Sequence, residues 1–383
     1  QYEKKLLNFL EFLQKGAVSE DDIIKVKNVL SRQLDWTLIF IDESQDWPKV
    51  ERDLIYRLYG HKSVVIADGV DQFVRSNKWT NWLDQIPTKE RQIVSLSKSL
   101  RLKSSLCQSV NQIAEKMQYN DWNVEPELET FGGQVYFVVG DILHPSEFKK
   151  GGFHSRFWTS SNSADVKPVD TLSIVPPSWV KVKENRISTL GSLYIGHGKE
   201  VWDGTNEEQR QIYATREDQY RIIQYQSSRG LEGWFAVCYC IDEHFEEKFN
   251  ESKGFEELNS QLFAETKEEA AKSHAIRWLM ISMTRAIDTL FIHVKDRKSF
   301  IGTILAELCD LAPDRFKLLD LEAHDRFQPT QEANLYNEMK EVANKLKNAY
   351  EQSKSANAWD EFERAENKCA DFALKNANSI FFG

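Results

Sequence analysis

Cysteine is scarce in this 383-residue chain. Cys107, Cys238, Cys240, Cys309 and Cys369 form no CxxC pair, and the eight histidines do not cluster beside them. That argues against a disulfide scaffold or a structural zinc, and leaves buried free thiols as the reading. Long apolar runs are also missing. No stretch approaches the ~20 residues of a transmembrane helix, and the opening QYEKKLLNFLEFLQKG carries charges inside its apolar pattern, unlike a secretory signal. The expectation is a cytoplasmic protein with no membrane partner. Positive charge is in deficit: the net charge is −10. This weighs against a protein that coats nucleic acid electrostatically, but not against one that grips a single strand in a local groove. There is no internal repeat and no low-complexity tract, and the length suits two or three domains.

What is present reads first as helix, then as alternating strand and helix. Residues 1–33 carry helical apolar spacing. Short β-rich runs follow at Trp36–Ile41, Ser63–Ala67, Gln92–Leu96, Gln134–Val139, Asp170–Val175, Arg221–Gln226, Phe235–Ile241 and Thr289–Val294. Several are continuous apolar runs, the signature of strands covered on both faces of a parallel sheet. Residues 145–205, with Gly151-Gly152, Pro176-Pro177 and many serines, read as long loops or an insertion. From about residue 300 the pattern is helical. Leu335, Met339, Val342, Leu346 and Tyr350 form one apolar stripe; Trp359, Phe362, Ala365, Cys369 and Phe372 form another. The two predict a helical hairpin whose stripes bury each other, with Trp359 and Phe362 reaching outward to a further contact, either the body of the protein or a protein partner.

Five segments carry candidate chemistry, and each also has a plain structural reading. In WTLIFIDESQDW (36–47) a strand ends in Asp42-Glu43, placed to hold Mg²⁺ and orient a water, or to cap a helix. In SVVIADGVDQF (63–73) another strand ends in Asp68, with Gln72 suited to sensing a terminal phosphate; the alternative is an Asp-Gly turn. Arg101 follows the run 92–96 and is either functional or a solvated cation. In YRIIQYQSSRGLEGWFAV, Ser227, Ser228, Arg229 and Gly230 form a polar loop and Glu232 can accept from a ribose hydroxyl; a connecting loop is the alternative. In AIRWLMISMTRAIDTLFIHV, Arg285 offers an always-ionised fork for phosphate charge, or a helix-end cation.

In order and spacing these segments resemble the UvrD/Rep-like branch of superfamily 1 helicases. That family's DExxD, GDxxQ, NYRS, KGLE and TRA motifs have counterparts here in DESQD (42–46), ADGVDQ (67–72), SLRL (99–102), SRGLEG (228–233) and MTRA (283–286). The resemblance spans roughly residues 20–295. It implies ATP and Mg²⁺ as cofactors, with Asp42 and Glu43 acting at magnesium and water and Gln72 at the γ-phosphate. It further implies Arg101 and Arg285 as paired arginine fingers, and Gly230 and Glu232 at the nucleotide. Phe73 and Trp79 would replace the base-stacking tryptophan, whose position is Asn77, and Ser227, Ser228 and Arg229 would face single-stranded DNA or a forked duplex, RNA being left open.

Departures accompany the resemblance. Leu100 stands where the family stacks a tyrosine on adenine, and Arg229 where it has lysine. No GxxxxGK[ST] occurs; GSLYIGHGKE (191–200) fails the pattern and lies after DESQD rather than before it. The family's Walker A segment is therefore expected upstream of Gln1, and the chain alone is expected to hydrolyse little ATP. The implied architecture is α/β, with two RecA-like parallel-sheet domains: 1–90 as the back half of the first, 91–300 as the second, and 301–383 as a helical extension. The implied activity is 3′-to-5′ translocation on DNA. The rival expectation is a non-hydrolysing, helicase-like interaction module within a larger assembly.

Overall fold

The computed structural model describes residues 2–34, 36–69, 80–84, 86–96, 98–120, 122, 124–161, 166–180, 187–253, 267–323 and 331–382. The chain divides into two compact units, Gln1–Leu96 and Ser97–Gly383.

The first unit contains α1 (Tyr2–Gln14), α2 (Glu20–Val29), α3 (Ser31–Leu34), β1 (Ile39–Ile41), α4 (Lys49–Tyr59) and β2 (Val64–Ile66). α2 begins at a capping box, in which Ser19 Oγ accepts from the Asp22 amide and the Asp22 carboxylate accepts from the Ser19 amide. β1 and β2 pair in parallel, Ile39 opposite Val64. Leu10 and Leu13 of α1 pack with Val50 and Leu54 of α4 to form the small core.

The second unit opens with β3 (Lys98–Ser99), α5 (Ser104–Lys116) and β4 (Glu125–Pro126). It continues through β5 (Gln134–Val139), α6 (Phe153–Ser161), β6 (Thr171–Val175), α7 (Thr189–Gly196), β7 (Glu200–Asp203), α8 (Glu207–Gln211), β8 (Gln219–Gln224) and β9 (Gly233–Cys238). It ends with α9 (Ile241–Lys253), α10 (Lys267–Met283), β10 (Ala286–Val294), α11 (Phe300–Leu311), β11 (Phe316–Asp320), α12 (Gln331–Ser353) and α13 (Ala356–Phe382). Seven strands make one parallel sheet in the order β11-β5-β10-β9-β6-β8-β7. The fold class is α/β, as the continuous apolar runs predict. QVYFVV and TLSIV are buried almost throughout because both faces are covered.

Alternation along β10 shows how. Leu290, Ile292 and Val294 join a core with α5, α9, α10 and α11, while Phe291 joins one with α6 and α7. The connections after β5 and β6 move toward the β7 edge through α6 and α7; those after β8, β9 and β10 move toward the β11 edge. The direction reverses between β6 and β9, which makes their carboxyl ends the topological switch point.

Several sequence expectations change. Gln92–Leu96 joins no sheet. Residues 145–205 are not an irregular insertion: they supply α6, β6, α7 and β7, two complete crossovers. The range 301–383 is not all helix, because FKLLD forms β11, paired with β5 from Phe316 opposite Val135. It is a short edge strand, too brief to interrupt the helical reading around it. The helical hairpin forms as α12 and α13, and α13 also packs on α6. Its faces are not as expected. Ala333 and Ala343 of α12 are buried, whereas Leu335 and Val342 are exposed. On α13, Phe362, Cys369, Ala373 and Ile380 face inward, so Phe362 belongs to the core, and Trp359 is the exposed aromatic, edge-on to Tyr350. Among the described residues no helix is long and apolar enough to cross a membrane.

Candidate functional site

In the first unit two strand ends lie side by side. The backbone leaves β1 through Asp42 and turns at Glu43, whose φ of 52° is left-handed, an uncommon conformation for a residue with a side chain. Asp42 is exposed, and its Oδ1 accepts from the Glu43 amide at 2.9 Å. The turn is tied to the end of β2: the Ser44 amide donates to Ala67 O at 3.0 Å, Ser44 Oγ donates to Asp68 Oδ1 at 3.3 Å, and the Gly69 amide donates to Gln45 Oε1 at 2.9 Å. Gln45 Nε2 in turn donates to Glu43 Oε2 at 2.7 Å. A Cβ on Gly69 would stand 3.0 Å from Gln45 Nε2 and 3.1 Å from Glu43 Oε2, so glycine keeps this cradle open. Buried Trp82 anchors the turn, donating its indole N–H to Ser44 O at 2.7 Å. The carboxylates of Asp42, Glu43 and Asp68 thus crown the carboxyl ends of two parallel strands. Their chemistry suits Mg²⁺, which takes one or two carboxylates plus phosphate oxygens. Among the described residues no group of three His, Cys, Asp or Glu side chains is arranged as a self-sufficient metal site.

In the second unit the remaining motif residues meet at the opposite kind of edge, the amino ends of β9 and β10. Glu232 immediately precedes β9, Arg285 immediately precedes β10, and the Gly233 amide donates to Arg285 O at 2.9 Å. The segment bearing Arg101 is fastened beside them, with the Lys103 amide donating to Ile287 O at 3.0 Å. Arg101 Nη1 lies 3.9 Å from Glu232 Oε2, and the arginine side chain is 36% exposed. Its Nε is buried without an acceptor among the described residues, as is the indole N–H of Trp234. A part-exposed guanidinium with an unsatisfied donor suits an acceptor-rich group such as phosphate.

Arg285 differs from the expected projecting finger. It is 3% exposed; its Nε donates back to Ile281 O at 2.7 Å and a terminal nitrogen to Thr284 Oγ1 at 3.2 Å. Glycine at 230 adopts φ 79°, and the hydroxyl of Ser228 is spent inside the turn, donating to Tyr225 O at 2.8 Å. Ser227 bonds Arg210, and Arg229 is half-buried. Leu100 is exposed. Gln72, Phe73 and Trp79 lie outside the described residues.

Sequence reasoning missed four neighbours. Lys103 pairs with Asp288 at 2.6 Å and its ammonium lies 4.8 Å from the Trp234 ring centre. Arg221 donates to Glu232 O, and burial pushes its guanidinium below its ordinary value. Lys103 follows Arg101 by two residues and Trp234 follows Glu232 by two, but only the register of β6, β8, β9 and β10 assembles them.

The switch point itself has a separate cavity of about 450 Å³ at the carboxyl edge, lined among others by Asp141, Trp179, Cys240, His293 and Glu322. His293 is committed there: Nδ1 accepts from the Cys240 amide at 3.0 Å and Nε2 bonds Gly140 O at 2.9 Å. Burial pushes its pKa down to about 4, and that of the Cys240 thiol far up. No family model matches the chain, and no curated protein matches it.

Proposed function

We propose that this chain works in an ATP-driven translocase on single-stranded nucleic acid, built on two RecA-like units and resembling the UvrD/Rep-like helicases. The observation that carries the reading is the amino-edge cluster of the parallel sheet. Arg101, Glu232 and Arg285 come from three distant segments, yet one backbone hydrogen bond and one ion pair link them at neighbouring strand starts.

In this reading the carboxylates of Asp42 and Asp68 would hold Mg²⁺, which would supply charge neutralisation for nucleotide phosphates, and Glu43, fixed by Gln45, would orient and deprotonate a water. Arg101 meets the transition-state charge, with Glu232 holding it in the resting state. Gln72 would report the γ-phosphate, Phe73 and Trp79 would stack on bases, and Arg229 would contact the strand's backbone. DNA with 3′-to-5′ movement is the substrate and direction that the family likeness favours, and the cytoplasm the setting.

The test is ATP hydrolysis by the full-length product of the gene, with and without oligo-deoxythymidine. Magnesium-dependent hydrolysis stimulated by the single strand is expected, and Glu43→Gln abolishes it while leaving ATP binding intact. The 383-residue chain alone, with no phosphate-cradling GxxxxGK[ST], hydrolyses negligibly. A full-length product that binds ATP but never hydrolyses it overturns the motor. One observation favours that outcome: the inward bonding of Arg285 suits the rival reading of a helicase-like interaction module that does not hydrolyse ATP.

A further inference from the structure

The cavity at the carboxyl edge of the seven-stranded sheet plays no part in the proposed motor. It lies at the far end of strands that begin beside Arg101 and Glu232, about 20 Å away along the six residues of β9. Its volume of about 450 Å³ suits a small molecule. Its place is where open α/β sheets take ligands, because loops leaving the two sides of a switch point diverge. The apolar wall is fixed. Trp179 is 8% exposed, its ring rests on Tyr239, and its carbonyl accepts from Thr189 Oγ1 at 3.1 Å. Ile142 and Leu143 extend that wall.

The charge facing the cavity is negative. Asp141 and Glu322 line it from the ends of the paired strands β5 and β11. Both are exposed, and neither has an ion-pair partner among the described residues. Asp141 Oδ1 accepts from the Leu143 amide at 3.1 Å, which orients the carboxylate and leaves Oδ2 for a ligand. His293 and Cys240 add no charge, since the ring is bonded between the Cys240 amide and Gly140 O and burial keeps the thiol protonated. Lys295, the cation in the lining, is already bonded to Glu243. A buried group beside the cavity adds a second, independent sign. Asp242 is 6% exposed, and its Oδ2 accepts from the amides of Lys295 and Asp296 at 3.0 and 2.9 Å. Its Oδ1 has no donor among the described residues, and its charge acts on both Cys240 and His293. An anion would meet Asp242 and Glu243 in the first turn of α9, the helix end that otherwise attracts phosphate. A bare metal ion lacks ligands, because no three His, Cys, Asp or Glu side chains among the described residues converge on one.

We infer that this cavity binds a small organic cation, an ammonium or guanidinium on a compact apolar body. Asp141 and Glu322 receive the charged head, and Trp179 lies along the apolar part. The experiment titrates the 383-residue chain, by isothermal calorimetry, with 2-phenylethylamine, 2-phenylethanol and 3-phenylpropionate. The three share one body and carry positive, no and negative charge. The amine should bind at least about tenfold more tightly than the alcohol, and the carboxylate should give no heat of binding. Asp141→Asn with Glu322→Gln should bring the amine down to the level of the alcohol and leave the alcohol unchanged. Both side chains are exposed, so circular dichroism and the melting temperature should not move. Glu208→Gln removes an exposed acid outside the cavity and should change nothing. An amine that binds no better than the alcohol, or a carboxylate that binds best, overturns the inference. Amine binding that survives the double substitution, or that falls as much with Glu208→Gln, is general attraction to an acidic chain and overturns it too.

Discussion

Gly233 is the residue on which the amino-edge cluster turns, and replacing it with alanine tests the geometry directly. An added Cβ would stand 2.8 Å from Phe235 O, 2.9 Å from Leu172 Cβ and 3.0 Å from Leu172 N. Two of these are backbone atoms of paired strands, β9 and β6, which cannot rotate away as a side-chain tip can. Ordinary contact begins near 3.4 Å, so the strands must part by several tenths of an ångström where Leu172 faces Ala236. Overpacking of this kind costs roughly 1–3 kcal/mol, and the lost freedom of the unfolded chain returns about 0.5 kcal/mol, leaving a net loss of roughly 0.5–2.5 kcal/mol.

Two other glycines separate steric crowding from backbone conformation. At Gly230, φ is 79° and no atom lies within 4 Å of the added carbon, so alanine pays only the left-handed penalty, about 1 kcal/mol. Gly196 ends α7 with ordinary φ and open space; alanine there should gain roughly 0.5 kcal/mol. Urea unfolding followed by tryptophan fluorescence ranks the three. The expected order of stability is Gly196→Ala, wild type, Gly230→Ala, Gly233→Ala. Should Gly233→Ala match the wild type, or Gly230→Ala prove the more damaging, the close approach of β6 and β9 is not as described. Because the Gly233 amide bonds Arg285 O, Gly233→Ala should also shift Glu232 and Arg285 together.

Acid should weaken the fold through two buried histidines. His293 and His154 are buried, with pKa values pushed down to about 4 and about 3, mainly by desolvation. Both are neutral in the fold and take up protons on unfolding below about pH 6.5, so their contribution is full above that pH and falls as pH drops toward 4. The slope is about 1.4 kcal/mol per pH unit for each, and urea midpoints that stay level from pH 7 to pH 5 would contradict it. Asp288→Asn strands the Lys103 ammonium, whose side chain is 17% exposed, and should cost about 3 kcal/mol. Adding Lys103→Met should recover most of this, and a double-mutant cycle showing no coupling rejects the pair. In the full-length product, Arg101→Ala should slow hydrolysis by about 10³-fold or more with unfolding unchanged, whereas Arg285→Ala should lower turnover and stability together. Near-normal turnover in Arg101→Ala removes that residue from the site.

The parallel sheet was legible where burial on both faces writes an uninterrupted apolar run, as in QVYFVV and TLFIHV. β7 was not, because EVWD lies at the sheet edge and carries charge at both ends; β11 was not, because FKLLD alternates too briefly beside a long helix. The stripe of α12 was legible as a stripe, but its direction was not. Periodicity gives the spacing of Leu335, Met339, Val342 and Leu346 and says nothing about which face meets α13, and there the small Ala333 and Ala343 win the interior. The motif residues were found by type and order. Lys103, Arg221, Trp234 and Asp288 were missed because no local pattern joins them: the strand register does.

The two arginines of the amino edge illustrate how position decides chemistry. A parallel strand that follows a helix starts near that helix's last carbonyls, where partial negative charge favours a cation. Arg285 stands there, one residue after Thr284 at the end of α10, and its Nε satisfies Ile281 O. This is the helix-end role that the residue type also allowed, and it withdraws part of the fork from any ligand. Arg101 has no such helix to serve. It precedes α5 by three residues, keeps a third of its side chain in solvent, and rests against Glu232 at a distance beyond hydrogen bonding. A carboxylate at that range stabilises the guanidinium without occupying its donors. Of the two, Arg101 keeps the more exposed fork, and Arg285 holds the strand start on which Arg101's partner is built.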